Sequence, residues 1–480
     1  MTRESYDFIV IGAGSGGIGL AAFANMAGFR TLLVDKSDRS IGGDCLNFGC
    51  VPSKALIHAA RLAQAAREAG RFGLEVRGKA DLAAVLADVR AKQDVIRAHE
   101  NADFFRGQGL SVALGAARFA GPDAVEIDGR TYRGRRIVIA TGSSPRPLEV
   151  PGADQPDIRT NETIFGLDAL PERLLVVGGG PIGMELGQAF QMLGSQVVVV
   201  HRGPRILPKE PPWASEILRA RMEEQGVRFL LSSQVKRFEG PRQAVVADES
   251  GAETSVSFDV ALASIGRRLG LDGLALERAG IETDASGKLV LNRRLQTTNR
   301  RVFATGDVVG QHLFSHAAEM HTRLLINNFL SPVKKKLDTR HFSWVTFTDP
   351  EVATFGQSPA QLEERGAAFE TLEFGFGDDD RAVTDGYRYG KLALQVGKAN
   401  LLGRGQTLLG GTVVAPGAGE IAQELILATA QGLTIDALFE KIYPYPTASR
   451  VNQLAVVKRK ERSLTPRLKP WLRLAFRLFG

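Results

Sequence analysis

The feature that most constrains this chain is a glycine-rich turn between an apolar strand and a small-residue helix, and it occurs twice. Tyr6-Asp7-Phe8-Ile9-Val10-Ile11 runs into Gly12-Ala13-Gly14-Ser15-Gly16-Gly17. An Ala-rich helical stretch follows to about Gly28, and Thr31-Leu32-Leu33-Val34 supplies a second strand. The same order returns 166 positions on, from Gly12 to Gly178. There it reads Leu174-Leu175-Val176-Val177, a turn Gly178-Gly179-Gly180-Pro181-Ile182-Gly183, a helix to about Leu193, and Val197-Val198-Val199-Val200. Strand, turn, helix, strand is a βαβ unit. Two copies predict two nucleotide-binding folds in one α/β chain.

The spacing inside each turn carries chemistry. Gly12, Gly14 and Gly17 let a pyrophosphate approach the backbone at a helix N-terminus. Asp35 lies 18 residues after Gly17, where an acid accepts hydrogen bonds from ribose hydroxyls. In the second turn the glycines are Gly178, Gly180 and Gly183, and the same count reaches His201. Arg202 and Arg205 follow. An acid there repels a 2′-phosphate, whereas arginines bind one in bidentate fashion. The second site is therefore expected to prefer NADPH to NADH.

Between the two units lies Gly42-Gly43-Asp44-Cys45-Leu46-Asn47-Phe48-Gly49-Cys50-Val51-Pro52-Ser53-Lys54, with the only two cysteines of the chain. Two cysteines make no disulfide framework, and a zinc site wants four ligands. Pro52 sits where a helix can start, and a helix N-terminus beside Lys54 lowers a thiol pKa. The pair reads as a redox-active disulfide, with no resident metal expected.

Composition narrows the class. With 480 residues, 44% apolar and 24% charged, the chain is ordinary for a folded protein of several domains. No apolar run is long enough to span a bilayer, and the opening Met1-Thr2-Arg3-Glu4-Ser5 is not a secretory signal. A cytoplasmic location is expected. The net charge of +7 is local. Lys458, Arg459, Lys460, Arg462, Arg467, Lys469, Arg473 and Arg477 against the single acid Glu461 account for all of it. A balanced body argues against nucleic acid as a partner. Lys469, Arg473 and Arg477 form one stripe if the stretch is helical, and Trp471, Leu472, Leu474, Phe476, Leu478 and Phe479 cover the rest. Contact with the inner face of a membrane and docking on protein both stay open for it. His58, His312, His316 and His321 read as local hydrogen-bonding residues.

These motifs resemble those of the class I flavoprotein disulfide reductases, the family of dihydrolipoyl dehydrogenase, glutathione reductase and mercuric reductase. The likeness runs from about residue 5 to 450. It includes the Cys-x4-Cys stretch, Ala140-Thr141-Gly142, Ala263-Ser264-Ile265-Gly266-Arg267 and Ala304-Thr305-Gly306-Asp307. It implies two Rossmann-like dinucleotide-binding domains and a C-terminal α+β dimerisation domain that builds a homodimer. The implied boundaries are 1–145 and 271–340 for FAD, 146–270 for NAD(P), 341–457 for dimerisation, and 458–480 as a basic tail. FAD falls to Gly12, Gly14, Gly17, Asp35, Lys36, Gly43, Lys54, Ala117, Thr141, Gly142, Asp307 and Ser315. Gly266 joins Gly178, Gly180, Gly183, His201, Arg202 and Arg205 at the NADPH site. Cys50 is similar to the charge-transfer thiol beside the flavin, Cys45 to the interchange thiol that meets the acceptor. Lys54 and Glu185 match the family's ion pair.

One departure matters. Thiol-handling members carry His-Pro-Thr, with a Glu five positions after the His. Here the stretch is Tyr445-Pro446-Thr447-Ala448-Ser449-Arg450, and no His follows His341. An imidazole titrates near neutrality, while an unperturbed phenol has a pKa of about 10. The implied function is electron flow from NADPH through FAD and Cys45–Cys50 to an acceptor left open. A disulfide, a quinone and a metal ion all qualify. Mercuric reductases share the Tyr, which makes Tyr445 a candidate catalytic residue. A metal-ion reductase, a dihydrolipoyl dehydrogenase and a membrane-associated redox sensor are the alternatives.

Overall fold

The computed structural model describes residues 4–399, 405–464, 466 and 468–480. The chain divides into two compact units, Met1–Pro204 with Gly226–Leu337, and Arg205–Gln225 with Asp338–Gly480.

The first unit holds both repeats. Its larger sheet sets Ser111–Leu114, Thr31–Asp35, Glu4–Ile11 and Arg130–Ile139 side by side in parallel, with Val302–Ala304 parallel to the end of Arg130–Ile139. Ala124–Ile127 and Ala117–Gly121 extend it antiparallel. Val, Ile and Leu fill the central strands because both faces are covered, and Ile9, Val10, Leu33, Val34, Val138 and Ile139 are buried. The register aligns Ile11 with Val34 and Ile139, and Ile139 with Ala304. The carboxyl ends of four strands therefore lead together into Gly12, Asp35, Ala140 and Thr305. That edge is where open α/β sheets bind ligands.

The second repeat builds a five-stranded parallel sheet in the order Arg228–Leu230, Gln196–Val200, Arg173–Val177, Val260–Ala263, Ile158–Arg159. Val177 aligns with Val200 and Ala263, so Gly178, His201 and Ser264 leave from one edge. A three-stranded antiparallel sheet, Ser233–Phe238, Gln243–Asp248 and Glu253–Ser257, is added to this repeat. Buried Ser233 and Val235 alternate with exposed Gln234 and Lys236, which marks Ser233–Phe238 as half-covered.

The second unit is built on a five-stranded antiparallel sheet in the order Ser343–Thr346, Glu351–Gly356, Leu408–Ala415, Lys391–Gly397, Phe369–Gly375. Residues 205–225 join it. The helix Pro212–Glu224 buries Ala214, Leu218 and Met222. Ahead of it the buried carboxylate of Glu210 accepts hydrogen bonds from Trp344 Nε1 and Thr354 Oγ1, both at 2.5 Å. The basic run at 458 begins inside a packed helix, Val451–Ser463. Arg459 pairs with Glu370 at 2.8 Å, Lys460 with Asp436 at 2.8 Å, and the Lys458 ammonium lies over the Phe374 ring. The helix Lys469–Phe479 follows, with no buried residue. Among the described residues, no helix is long and apolar enough to cross a membrane.

Candidate redox site and dinucleotide cradles

Cys45 lies in the short helix Gly43–Asn47, and Cys50 is the first residue of the helix Cys50–Glu68. Both are thiols in this structure. Their side chains hydrogen-bond to one another, and the two sulfurs are driven apart in acidity. The bond from Cys45 is the largest influence on Cys50, and Ser315 and Lys54 add to it; together they outweigh the partial desolvation of a sulfur on an exposed residue and bring the thiol down to about 6. Cys45 keeps its proton, pushed far up by that same bond, by burial and by the charge of Cys50. Ser315 Oγ lies 3.5 Å from Cys50 Sγ. A helix N-terminus at Cys50 also favours a thiolate.

Lys54 stands one turn beyond Cys50. Its ammonium pairs with Glu185 Oε2 at 2.7 Å, across 131 positions of sequence. Glu185 is 7% exposed and belongs to the helix Pro181–Leu193, which springs from the second glycine turn. One helix thus carries a nucleotide turn at its start and, within its first two turns, a carboxylate that holds Lys54 beside the thiols.

The cysteine segment is joined to the first glycine turn by close backbone packing. Gly42 N donates to Ala13 O at 2.8 Å. Gly43 has φ +60°, and a Cβ there would stand 2.7 Å from the Gly14 Cα. Any side chain at 43 would push the thiols away from the turn. Asp35 Oδ2 accepts from Ala13 N at 2.6 Å and Oδ1 from Lys36 N at 2.7 Å, which squares the acid to the turn. Gly115 N donates to Asp35 O, which brings the loop before Ala117 to the same edge.

Two observations test this cradle against FAD, and it fits. The helix Ser15–Met26 starts at Gly14 with no side-chain cap, so its first N–H groups have no side-chain acceptor. Thr141 Oγ1 is buried without a hydrogen-bond partner, next to Gly142, which has open space where a Cβ would lie. Burial raises the Asp307 carboxyl above the usual carboxylate range, opposed by a 2.5 Å hydrogen bond from Ser143.

The second cradle starts likewise. Gly180 caps the helix Pro181–Leu193 with no side-chain bond and open space at its Cα. His201 Nδ1 accepts from Gly179 N at 3.1 Å, so the imidazole steadies the turn. Burial, then the Arg202 charge, lowers its pKa. Arg202 is exposed. Arg205 opens the second unit and donates to Pro208 O at 3.2 Å. Gly266, at φ +126°, accepts from Arg146 N at 2.9 Å.

One residue to which the sequence reading gave no site role joins these parts. Arg267 is 9% exposed in its side chain. It bonds to Ser143 Oγ at 2.6 Å and Ser143 O at 2.9 Å, reaches Asp44 at 3.2 Å, and lies 3.8 Å from Asp307. An arginine closing an apolar strand was the available signal. His321, read from sequence as a local hydrogen-bonding residue, is fully buried, and its Nδ1 accepts from Gly306 N at 3.3 Å. Among the described residues, no group of three or more His, Cys, Asp or Glu is gathered to hold a metal ion.

In the second unit Tyr445 is 66% exposed. Its hydroxyl donates to Asp380 Oδ2 at 3.1 Å, and the Arg450 guanidinium carbon stands 5.2 Å from the ring centre. The bond to Asp380, then that acid's charge, raises the phenol pKa.

Comparison with known proteins agrees with this geometry. The model of a family described as pyridine nucleotide-disulphide oxidoreductase matches residues 6–322, and that of its dimerisation domain matches 342–456. A mercuric reductase of Staphylococcus aureus is 31% identical over 94% of this chain and 82% of its own length. A dihydrolipoyl dehydrogenase of Thermus scotoductus is 33% identical over 93% of this chain and 95% of its own. The Cu(II) complex of the HOCl-induced flavoprotein disulfide reductase RclA from Escherichia coli superposes with a TM-score of 0.83 at 25% identity, covering 95% of this chain and 100% of that one.

Proposed function

This chain belongs to the pyridine nucleotide-disulphide oxidoreductase family, and from that premise we propose an NADPH-driven reductase whose acceptor is a thiol-binding metal ion. That it is an FAD-dependent oxidoreductase using a nicotinamide dinucleotide and a disulfide follows from the family. Its dimerisation domain supports a homodimer. NADPH rests on the exposed Arg202 and the neighbouring Arg205 where an acid would favour NADH. FAD, when bound, supplies the two-electron relay between the nicotinamide and the disulfide. Gly12, Gly14, Gly17, Asp35, Lys36, Gly43, Ala117, Thr141, Gly142, Asp307 and Ser315 would hold it.

The remaining work falls to the chain's own side chains. Lys54, held by Glu185, sets a positive charge beside Cys50 and stabilises the thiolate. Ser315 and the Cys45 thiol donate to the same sulfur. Cys45 retains a proton and yields it when its sulfur meets the acceptor. Two thiolates are the donor set that soft metal ions choose.

The observation that carries the metal reading is the Tyr445–Asp380 hydrogen bond. It keeps the phenol protonated, so Tyr445 is no base for a dithiol. The names of two relatives, a mercuric reductase and a Cu(II)-complexed reductase, support the same direction. Two cysteines make no stapling disulfide framework of the kind secreted domains carry, and we infer a cytoplasmic location.

The test is anaerobic titration with NADPH, followed by steady-state assay with mercuric and cupric ions, lipoamide, glutathione disulfide and a water-soluble quinone. Metal turnover above the others, lost in Cys45→Ser while NADPH still bleaches the flavin, is expected. Lipoamide turnover matching that with metal ions would overturn the acceptor. Full activity in Cys45→Ser would overturn the thiol route, and slow cycling with every acceptor would point to a redox sensor.

A further inference from the structure

We propose that the helix Lys469–Phe479 docks the protein on an anionic lipid surface. Every side chain of this helix is exposed, including Trp471 at 69%, Phe476 at 75% and Phe479 at 87%. At the 3.6-residue period, Lys469, Arg473 and Arg477 fall within an arc of about 80°. Trp471, Leu472, Leu474, Ala475, Phe476, Leu478 and Phe479 fill the opposite side, an arc of roughly 200°. A helix of a globular domain buries such a face against its core, and this one buries nothing.

Charge decides the occupant. The excess of +7 lies wholly in residues 458–480, and the rest of the chain is balanced. A second copy would bring the same cations to the same place, which opposes self-association of this helix. Lys458, Arg459 and Lys460 are already engaged with Phe374, Glu370 and Asp436. On the bare helix itself the docking charge is that of Lys469, Arg473 and Arg477. A bilayer with anionic headgroups satisfies both faces at once. Acyl chains cover the Trp, Phe and Leu side chains while phosphates meet the cations. A free phosphate ion could meet the charges but would leave the apolar face in water. The proposal is independent of the acceptor, because the helix lies outside both family matches.

The test is flotation of the FAD-loaded full-length protein with vesicles of phosphatidylcholine alone or mixed with phosphatidylglycerol. Co-flotation with the anionic vesicles is expected, at least about tenfold above the neutral ones and weakened by salt. Arg473→Gln with Arg477→Gln should lower partitioning by roughly twenty-fivefold, near fivefold for each charge. A chain ending at Leu464 should stay with the buffer. Both variants should oxidise NADPH in solution as the parent does. Three results would each overturn the proposal. They are flotation of the shortened chain equal to that of the parent, no flotation of the parent with either vesicle, and hydrogen-exchange protection of residues 471–479 without lipid. The last would mean that protein already covers the face.

Discussion

Arg450 stands over the ring of Tyr445, 5.2 Å from guanidinium carbon to ring centre, while the Tyr445 hydroxyl donates to Asp380. The two residues that depart from the thiol-handling pattern thus touch each other. A titrating imidazole and its carboxylate have been exchanged for a phenol with a raised pKa and a permanent cation.

That exchange is reversible by design. Tyr445→His with Arg450→Glu should raise lipoamide-linked turnover by about a hundredfold, the scale of a positioned general base. The gain should show a pH limb near 6.5, the ordinary histidine value. Stopped-flow and steady-state rates with NADPH and lipoamide check it, and an unchanged rate would mean that the dyad is not what this chain lacks.

The low pKa of Cys50 sets a pH window. Its thiol titrates near 6, so the thiolate is present above that value and is lost below it. The long-wavelength absorbance of the two-electron-reduced enzyme should follow this curve. Lys54→Gln removes a cation that favours the thiolate and should move the midpoint up by about one pH unit. A midpoint at 8 to 9 in the parent, the ordinary cysteine range, would contradict the arrangement.

Nucleotide choice should follow Arg202. Arg202→Glu places an acid against a 2′-phosphate and should shift the NADPH:NADH ratio of kcat/KM by roughly a hundredfold toward NADH. A ratio that does not move would remove Arg202 from the cradle.

His321 predicts an acid-sensitive fold. Burial, with a smaller contribution from His312, lowers its imidazole to about 4. The unfolded chain binds this proton near 6.5, so it holds more protons than the folded chain between those values. Stability is therefore full above 6.5 and falls as pH drops toward 4, by about 3 kcal/mol from this residue alone. His321→Gln cannot titrate, and its Tm should lose that part of the slope when melted at pH 5 and pH 7.

Both repeats were legible because their signals are local. Gly12 to Asp35 and Gly178 to His201 each fit within one βαβ unit, and the thiols lie five positions apart. The Lys54–Glu185 pair was reached through family likeness, since nothing local joins residues 131 positions apart. Arg267 escaped because an arginine after an apolar strand usually meets solvent. Only the fold brings Ser143, Asp44 and Asp307 around it. The reach of Val451–Ser463 past residue 458 was hidden by composition. A run of cations reads as a free tail until Glu370 and Asp436 arrive from distant sequence.

The excursion of residues 205–225 makes each unit discontinuous in sequence. The chain crosses between them at 204–205, 225–226 and 337–338, so no single cut releases either one whole. A piece ending at Leu337 would carry the helix Pro212–Glu224 with Ala214, Leu218 and Met222 bared. A piece starting at Asp338 would leave Trp344 and Thr354 with no carboxylate to receive their hydrogens. Each piece alone is sticky at the place where the other fits. Recombination cannot exchange the second unit as a cassette unless residues 205–225, inserted within the second nucleotide fold, travel with it.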